Sequence, residues 1–106
     1  MILDVHERLA LLNMLPNKGG YEELKTIRRT REMLSFDSEE TETLNLRHEG
    51  AAVHWDTGKA NLVVKDIPID EWTTNLFRKN LSQLEKDGEL TEQYMSIFEK
   101  FVIMYK

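Results

Sequence analysis

The spacing of apolar residues changes twice along this chain, and this constrains the fold more than any other feature. Apolar side chains recur at helical intervals up to Leu34, alternate between Leu44 and Val64, and return to helical intervals from Trp72 to Tyr105. Helical intervals are typical of an amphipathic helix, and alternation is typical of a strand with one buried face. We therefore predict an α+β fold: two N-terminal helices, a three-stranded antiparallel meander, and two C-terminal helices that pack on the sheet.

Length and composition predict one globular domain over residues 1–106. The chain is 41% apolar and 31% charged, and a chain of this length can bury one hydrophobic core. It has no cysteine, which excludes disulfides and thiolate metal sites. A net charge of −5 disfavours non-specific nucleic-acid binding. The apolar runs are too short for a membrane span and the N-terminus does not have the pattern of a signal peptide, so we expect a cytoplasmic location and no membrane partner.

Capping signals predict where the first two helices lie. Asp4 and Glu7 have the spacing of a capping box, so the first helix should begin there. It should end near Met14, because Pro16 disfavours helical angles in the residue before it. The second helix is predicted over residues 21–34, after a glycine-containing loop.

The centre of the chain predicts a hairpin and a third strand. Gly50 and Ala51 suit a two-residue hairpin loop. A turn at residues 56–58 should lead to the third strand, at residues 62–64, whose apolar run suggests burial. The hairpin loop sets a register in which the opposing pairs are Leu46 with Trp55, Arg47 with His54, and His48 with Val53.

The last helices supply much of the predicted core and a candidate interface. The third helix should begin at Asp70 and stop before Gly88, and Thr91 should cap the fourth. Three apolar residues near the C-terminus are not assigned to the predicted core, and we predict that they form an oligomer interface: Ile103, Met104 and Tyr105. The predicted core comprises Leu9, Leu12, Leu24, Ile27, Leu46, Trp55, Val63, Leu76, Leu81, Ile97, Phe98 and Phe101.

Candidate catalytic and metal-binding patterns have simpler structural interpretations. Residues 56–58 read Asp-Thr-Gly, the tripeptide of pepsin-like proteases, but those enzymes need two copies and this chain has one. His48 and His54 fall on opposite faces of the hairpin and do not converge with His6 on a metal. Gly19 and Gly20 lack the preceding strand of a phosphate loop. We predict no catalytic residue, no metal and no cofactor.

A basic surface keeps nucleic-acid binding open as an alternative. Lys25, Arg28 and Arg29 lie on the second helix, and Arg47 and His54 lie on the hairpin, in an order that suggests a recognition helix followed by a wing. Three glutamates share that helix, and the third helix that usually precedes a wing is missing from the pattern. A solvated basic face is therefore the competing interpretation.

Sequestration or conversion of a small ligand or nucleotide is a second alternative. Its pocket would lie around Trp55, His54, Lys18 and Arg47, which bring an aromatic ring close to basic groups. These residues show no convergent catalytic pattern, so we rank this alternative below a binding role.

Four segments, residues 7–16, 19–25, 90–94 and 98–102, resemble small proteins of unassigned function that tailed phages and prophages encode. The resemblance implies a host-cytoplasm setting and a role exercised by binding, such as virion assembly or inhibition of a host defence system. It carries over no functional residue. We therefore predict a non-enzymatic protein-interaction module with a protein partner, expected to be a homo-oligomer.

Overall fold

The chain forms helices with two small antiparallel sheets, and the predicted α+β class is confirmed. The computed structural model describes residues 1–50 and 52–104, with the backbone alone at 60–62. The helices are α1 (Val5–Met14), α2 (Tyr21–Leu34), α3 (Ser38–Leu44), α4 (Glu71–Lys86) and α5 (Glu92–Phe98). The strands are β1 (Ile2–Leu3), β2 (Arg47–Glu49), β3 (Ala52–His54) and β4 (Lys65–Asp66). A 3₁₀ helix spans Thr57–Leu62, and a π-helical segment at Glu99–Ile103 extends α5.

The strands do not form the predicted three-stranded meander. β2 pairs only with β3, and β1 pairs with β4, where Ile2 lies opposite Asp66. The predicted third strand at residues 62–64 is wrong, because the 3₁₀ helix runs through residue 62 and β4 begins at residue 65. Val63 is buried with Val5 and Leu44 from the N-terminal half of the chain. Val63 is therefore buried in a side-chain cluster and not through strand pairing, and Val64 beside it is 50% exposed.

The hairpin register is confirmed for two of the three predicted pairs, and the third, Leu46 with Trp55, lies beyond the end of the strand ladder. Arg47 lies opposite His54, and His48 lies opposite Val53. The two histidines therefore occupy opposite faces of the hairpin, as predicted. Gly50 has a φ of 62°, a left-handed angle that glycine adopts without steric cost. Ala51, the other predicted loop residue, lies outside the described residues.

Most helix ends follow the local capping signals, but Thr91, at the predicted N-cap of α5, makes no side-chain capping hydrogen bond. Asp4 and Glu7 form the predicted capping box, and Asp37 with Glu40 forms a second one. That second box opens α3, a helix of seven residues that the sequence analysis did not predict. Asp70 caps α4 by accepting a hydrogen bond of 2.7 Å from the backbone N–H of Thr73.

The main core lies between helices, with α1 contacting α2, α4 and α5. The C-terminal helices pack on other helices, so their predicted packing on a sheet is wrong. Phe77 and Phe101 meet edge to face at the centre, with ring centroids 5.4 Å apart. The rest of the main cluster is Leu3, Ala10, Leu11, Leu15, Ile27, Leu34, Ile67, Leu81 and Ile97. A smaller cluster joins Val5, Leu44 and Val63, with Leu9, Phe36, Leu46 and Trp55 packed against it.

The predicted core is correct in part. Its buried members are Ile27, Val63, Leu81, Ile97 and Phe101. Its members that are only partly buried are Leu9, Leu12, Leu24, Leu46, Trp55, Leu76 and Phe98. The difference is clearest on α1, where neighbours on several sides bury Leu11 and Arg8 completely and leave Leu9 at the margin. Within the described ranges, no helix has the length and apolar character needed to cross a membrane.

Candidate functional site

The basic residues predicted on α2 are exposed in the structure. Lys25 pairs with Glu22 at 3.7 Å and lies 5.4 Å from the ring centroid of Tyr21. Arg28 and Arg29 have no hydrogen bond or ion pair to any residue that the structure describes. These two guanidinium groups are therefore available to a ligand.

The basic residues predicted on the hairpin lie together on its outer face. Arg47 and His54 are directly opposite each other and exposed, and His54 Nε2 lies 3.6 Å from a carboxylate oxygen of Glu49. Side chains alternate between the faces of a strand, so Trp55 follows His54 on the other face. The cleft that Trp55 lines in the described part of the chain does not include the other residues of the predicted pocket, His54, Lys18 and Arg47.

Trp55 instead lines a cleft of about 580 Å³ between α1, β3 and the start of α5, which we call the Trp55 cleft. The wall formed by α1 consists of His6, Leu9 and Asn13. Successive members are three and four positions apart, so all three lie on one face of the helix. The β3 wall continues into the residue after the strand, and the third wall is the first turn of α5. The lining residues are His6, Leu9, Asn13, Val53, Trp55, Glu92 and Gln93.

Trp55 has a buried hydrogen-bond donor that is not used. Its ring meets that of His6 edge to face, with centroids 5.0 Å apart and an interplanar angle of 71°. The indole Nε1 is buried and has no hydrogen-bond partner in the described part of the chain. A buried donor without a partner costs about 1–3 kcal/mol.

The electrostatics of the Trp55 cleft disfavour anions. Glu92 carries the only formal charge among the lining residues, which include no lysine or arginine. In the segments that the structure describes, no three histidine, aspartate or glutamate side chains converge into a group that could hold a metal ion. The cleft therefore suits a neutral or cationic ligand with hydrogen-bond donors.

The two ends of the chain form a second candidate site, an apolar groove of about 350 Å³. Met1, Ile2, Lys100 and Met104 line this groove, which we call the terminal groove. Ile2 is 58% exposed and Met104 is 70% exposed, and Ile103 beside it is 58% exposed. Two of the three residues predicted for an oligomer interface, Ile103 and Met104, are thus accessible. The third, Tyr105, lies outside the described residues.

Lys100 does not make the terminal groove cationic, because its charge is paired. Its Nζ donates at 2.8 Å to Glu7 Oε1 and at 2.8 Å to the carbonyl oxygen of Ile2. The Ser96 hydroxyl donates to the other carboxylate oxygen of Glu7, which is 3% exposed. Burial by itself raises the pKa of Glu7, but the hydrogen bonds from Lys100 and Ser96 outweigh it and hold that pKa below its ordinary value. The groove therefore presents an apolar surface.

Sequence reasoning missed most of the Trp55 cleft. His6, Leu9 and Asn13 carried a usable signal, since their spacing places them on one face of α1. Glu92 and Gln93 carried none, because only tertiary packing brings the start of α5 to this place.

A comparison of the chain with protein-family models, with curated proteins and with solved structures finds no match. The functional proposals therefore rest on the geometry of the chain itself. Phage origin stays a prediction from the sequence resemblance.

Proposed function

We propose that this protein is a non-enzymatic protein-interaction module that binds a second copy of itself through the terminal groove. The observation that carries the proposal is the exposure of Ile2, Met104 and the adjacent Ile103 at a groove whose two cationic groups are paired, the Met1 amino group with Asp66 and Lys100 with Glu7. Exposed apolar clusters of this kind mark interaction surfaces in soluble proteins.

The shape of this surface supports self-association. Ile103 is exposed beside the groove, so one copy can insert Ile103 into the groove of the other. A twofold axis repeats that contact, because the same patch then serves both subunits. Each contact buries apolar area on both partners, and this area is the main source of association free energy.

Light scattering coupled to size exclusion tests this proposal over a wide range of protein concentration. We expect a concentration-dependent shift from monomer to dimer in the unaltered chain. Ile103→Lys should shift the equilibrium to monomer, because it brings a charge into the apolar contact. Met95→Lys is the matched control: it also converts an exposed apolar residue into lysine, but Met95 is not next to a groove residue in the chain, whereas Ile103 directly precedes Met104.

Two results would contradict self-association through the terminal groove. One is a strict monomer at the highest attainable concentration. The other is an equal loss of dimer in the Ile103→Lys and Met95→Lys variants. An added positive charge would then weaken the dimer wherever it is placed, and the effect would not be specific to the groove.

The phage resemblance extends the proposal to a biological role. In that setting the module acts in the host cytoplasm as an accessory protein, either in virion assembly or as an inhibitor of a host defence system. A genomic neighbourhood of capsid and tail genes would favour assembly, and a cluster of small early genes would favour host takeover.

Nucleic-acid binding is a second candidate function, favoured by the unpaired Arg28 and Arg29. Fluorescence anisotropy with labelled duplex and single-stranded DNA at low salt tests it. Binding through phosphate contacts should weaken steeply as salt rises, and the double variant Arg28→Ala, Arg29→Ala should lower both the affinity and the salt slope. No binding at low salt would rule this function out.

A further inference from the structure

We infer that Glu7, a buried residue outside the lining of the terminal groove, controls self-association by keeping the charge of Lys100 paired within its own subunit. The role assigned to Glu7 rests on the proposed function, since it concerns the same surface. Glu7 is a positioning residue, because it affects the contact between two copies only through Lys100.

Lys100 connects the two walls of the terminal groove. Met1 and Ile2 form one wall at the start of the chain, and Lys100 and Met104 form the other near its end. Lys100 Nζ donates at 2.8 Å to the carbonyl oxygen of Ile2 and at 2.8 Å to Glu7 Oε1. The Lys100 side chain is 31% exposed, so a second copy that covers the groove also removes Lys100 from water.

Glu7 is held in place as the acceptor for that ammonium group, and it is 3% exposed. Its Oε1 also accepts a hydrogen bond of 3.0 Å from the backbone N–H of Asp4, and the Ser96 hydroxyl donates to its Oε2. Burial raises the pKa of Glu7, but these hydrogen bonds outweigh burial and keep that pKa below its ordinary value. Glu7 is therefore ionised at neutral pH and supplies Lys100 with a counter-charge from inside the subunit.

An unpaired ammonium group in the terminal groove would oppose self-association in two ways. Covering the groove would take that charge out of water without a partner, which is unfavourable. A twofold axis also places the Lys100 side chains of both copies in one interface, where like charges repel. The ion pair with Glu7 reduces both effects, so a residue that touches no second copy decides how readily two copies associate.

Sedimentation equilibrium of Glu7→Gln tests this role, because the substitution keeps the shape of the side chain and removes its charge. We expect the dimer dissociation constant to rise roughly tenfold or more at low salt, since each Lys100 then enters the contact unpaired. Glu40→Gln is the matched control. It also neutralises a partly buried carboxylate with a cationic partner, Arg8, but Glu40 does not line the groove, so it should leave the dissociation constant unchanged.

A rescue variant separates this role from a general loss of stability. The double variant Glu7→Gln, Lys100→Met carries neither charge, so it should recover most of the affinity that Glu7→Gln loses. Since it leaves no buried charge unpaired, it also keeps the test available if Glu7→Gln folds poorly. Circular dichroism establishes that each variant is folded.

Salt dependence provides a second readout that a purely structural role would not change. Raising the salt from about 0.01 M to about 1 M shortens the Debye length from about 30 Å to about 3 Å, so it should strengthen the Glu7→Gln dimer by screening the two Lys100 charges. Glu40→Gln has the same net charge and should respond less.

The outcomes distinguish the role of Glu7 from the proposed function. An unaltered chain that stays monomeric at every concentration would overturn the proposed function and the role of Glu7 with it. A dimer that Glu7→Gln leaves intact would overturn the role of Glu7 alone. The same conclusion follows if Glu7→Gln and Glu40→Gln weaken the dimer equally, or if the double variant fails to recover dimerisation.

Discussion

Arg8 donates hydrogen bonds to both carboxylate oxygens of Glu40, at 2.5 and 3.2 Å, and so joins α1 to the first turn of α3. Its Nε donates at 3.1 Å to the carbonyl of Leu34, and its Nη2 donates at 2.6 Å to the carbonyl of Ser35. These carbonyls lie at the C-terminal end of α2. The last carbonyl groups of a helix have no N–H donor within the helix, so Arg8 supplies one here. Arg8 is fully buried, so one side chain connects three helices inside the molecule.

Replacing Arg8 should destabilise the fold strongly. Arg8→Ala leaves Glu40 and the end of α2 without their donors, and we expect a loss of about 3–5 kcal/mol in the free energy of unfolding. Arg8→Lys should recover little of it, because an ammonium group cannot reproduce the bidentate geometry of a guanidinium. Urea denaturation followed by circular dichroism measures both.

Arg28→Ala is the matched control, since it removes an exposed arginine that has no partner in the part of the chain described. It should change stability by less than about 0.5 kcal/mol. Similar losses from Arg8→Ala and Arg28→Ala would contradict the structural role of Arg8.

The Glu7–Lys100 pair should contribute a measurable coupling between the two ends of the chain. Lys100→Met leaves the buried Glu7 carboxylate without its cation, and we expect a loss of about 1–3 kcal/mol. In a double-mutant cycle with Glu7→Gln, the coupling should be about 0.5–3 kcal/mol. Lys79→Met on α4 is the control for loss of an exposed lysine. Additive effects of Glu7→Gln and Lys100→Met would refute the coupling.

Stability should fall in acid because two carboxyls have lowered pKa values. Burial raises the pKa of Glu40, but the hydrogen bonds from Arg8 and from the Asp37 backbone lower it more, and Glu7 behaves similarly. Both values lie below the ordinary 4.5, so their contribution is complete above about pH 4.5 and is lost as pH falls through the lower folded-state values. The double variant Glu7→Gln, Glu40→Gln should be less stable at pH 7 and lose less between about pH 6 and 3. Parallel pH profiles of the urea midpoint would contradict this.

Gly88 offers a test of backbone strain without a steric complication. It follows α4 with a φ of +67°, and a Cβ placed there would meet nothing within 4 Å. Gly88→Ala should cost about 1 kcal/mol because a left-handed angle is unfavourable for alanine. At Gly58 a Cβ also meets nothing, and the backbone angle is ordinary, so Gly58→Ala should be neutral or slightly stabilising. Equal melting temperatures for the two variants would argue against the left-handed angle.

Sequence reasoning succeeded where the deciding interactions are local. The capping box of Asp4 and Glu7, the end of α1 at Met14, and the pairing of Arg47 with His54 depend on residues a few positions apart or on one short turn. It failed for the buried face of α1. Arginine is rarely buried without a partner, and nothing near Arg8 in the chain indicates that Glu40 will meet it.

The sequence by itself determined four of the five described α-helices, most of their caps and the hairpin, because hydrogen bonds and periodicity within short segments decide them. Only the tertiary structure decided which distant segments meet. It paired Ile2 with Asp66 in place of a third meander strand, joined Ser96 to Glu7, and brought the start of α5 beside Trp55. Contacts across such separations depend on the packing of the whole core, which no short stretch of sequence encodes.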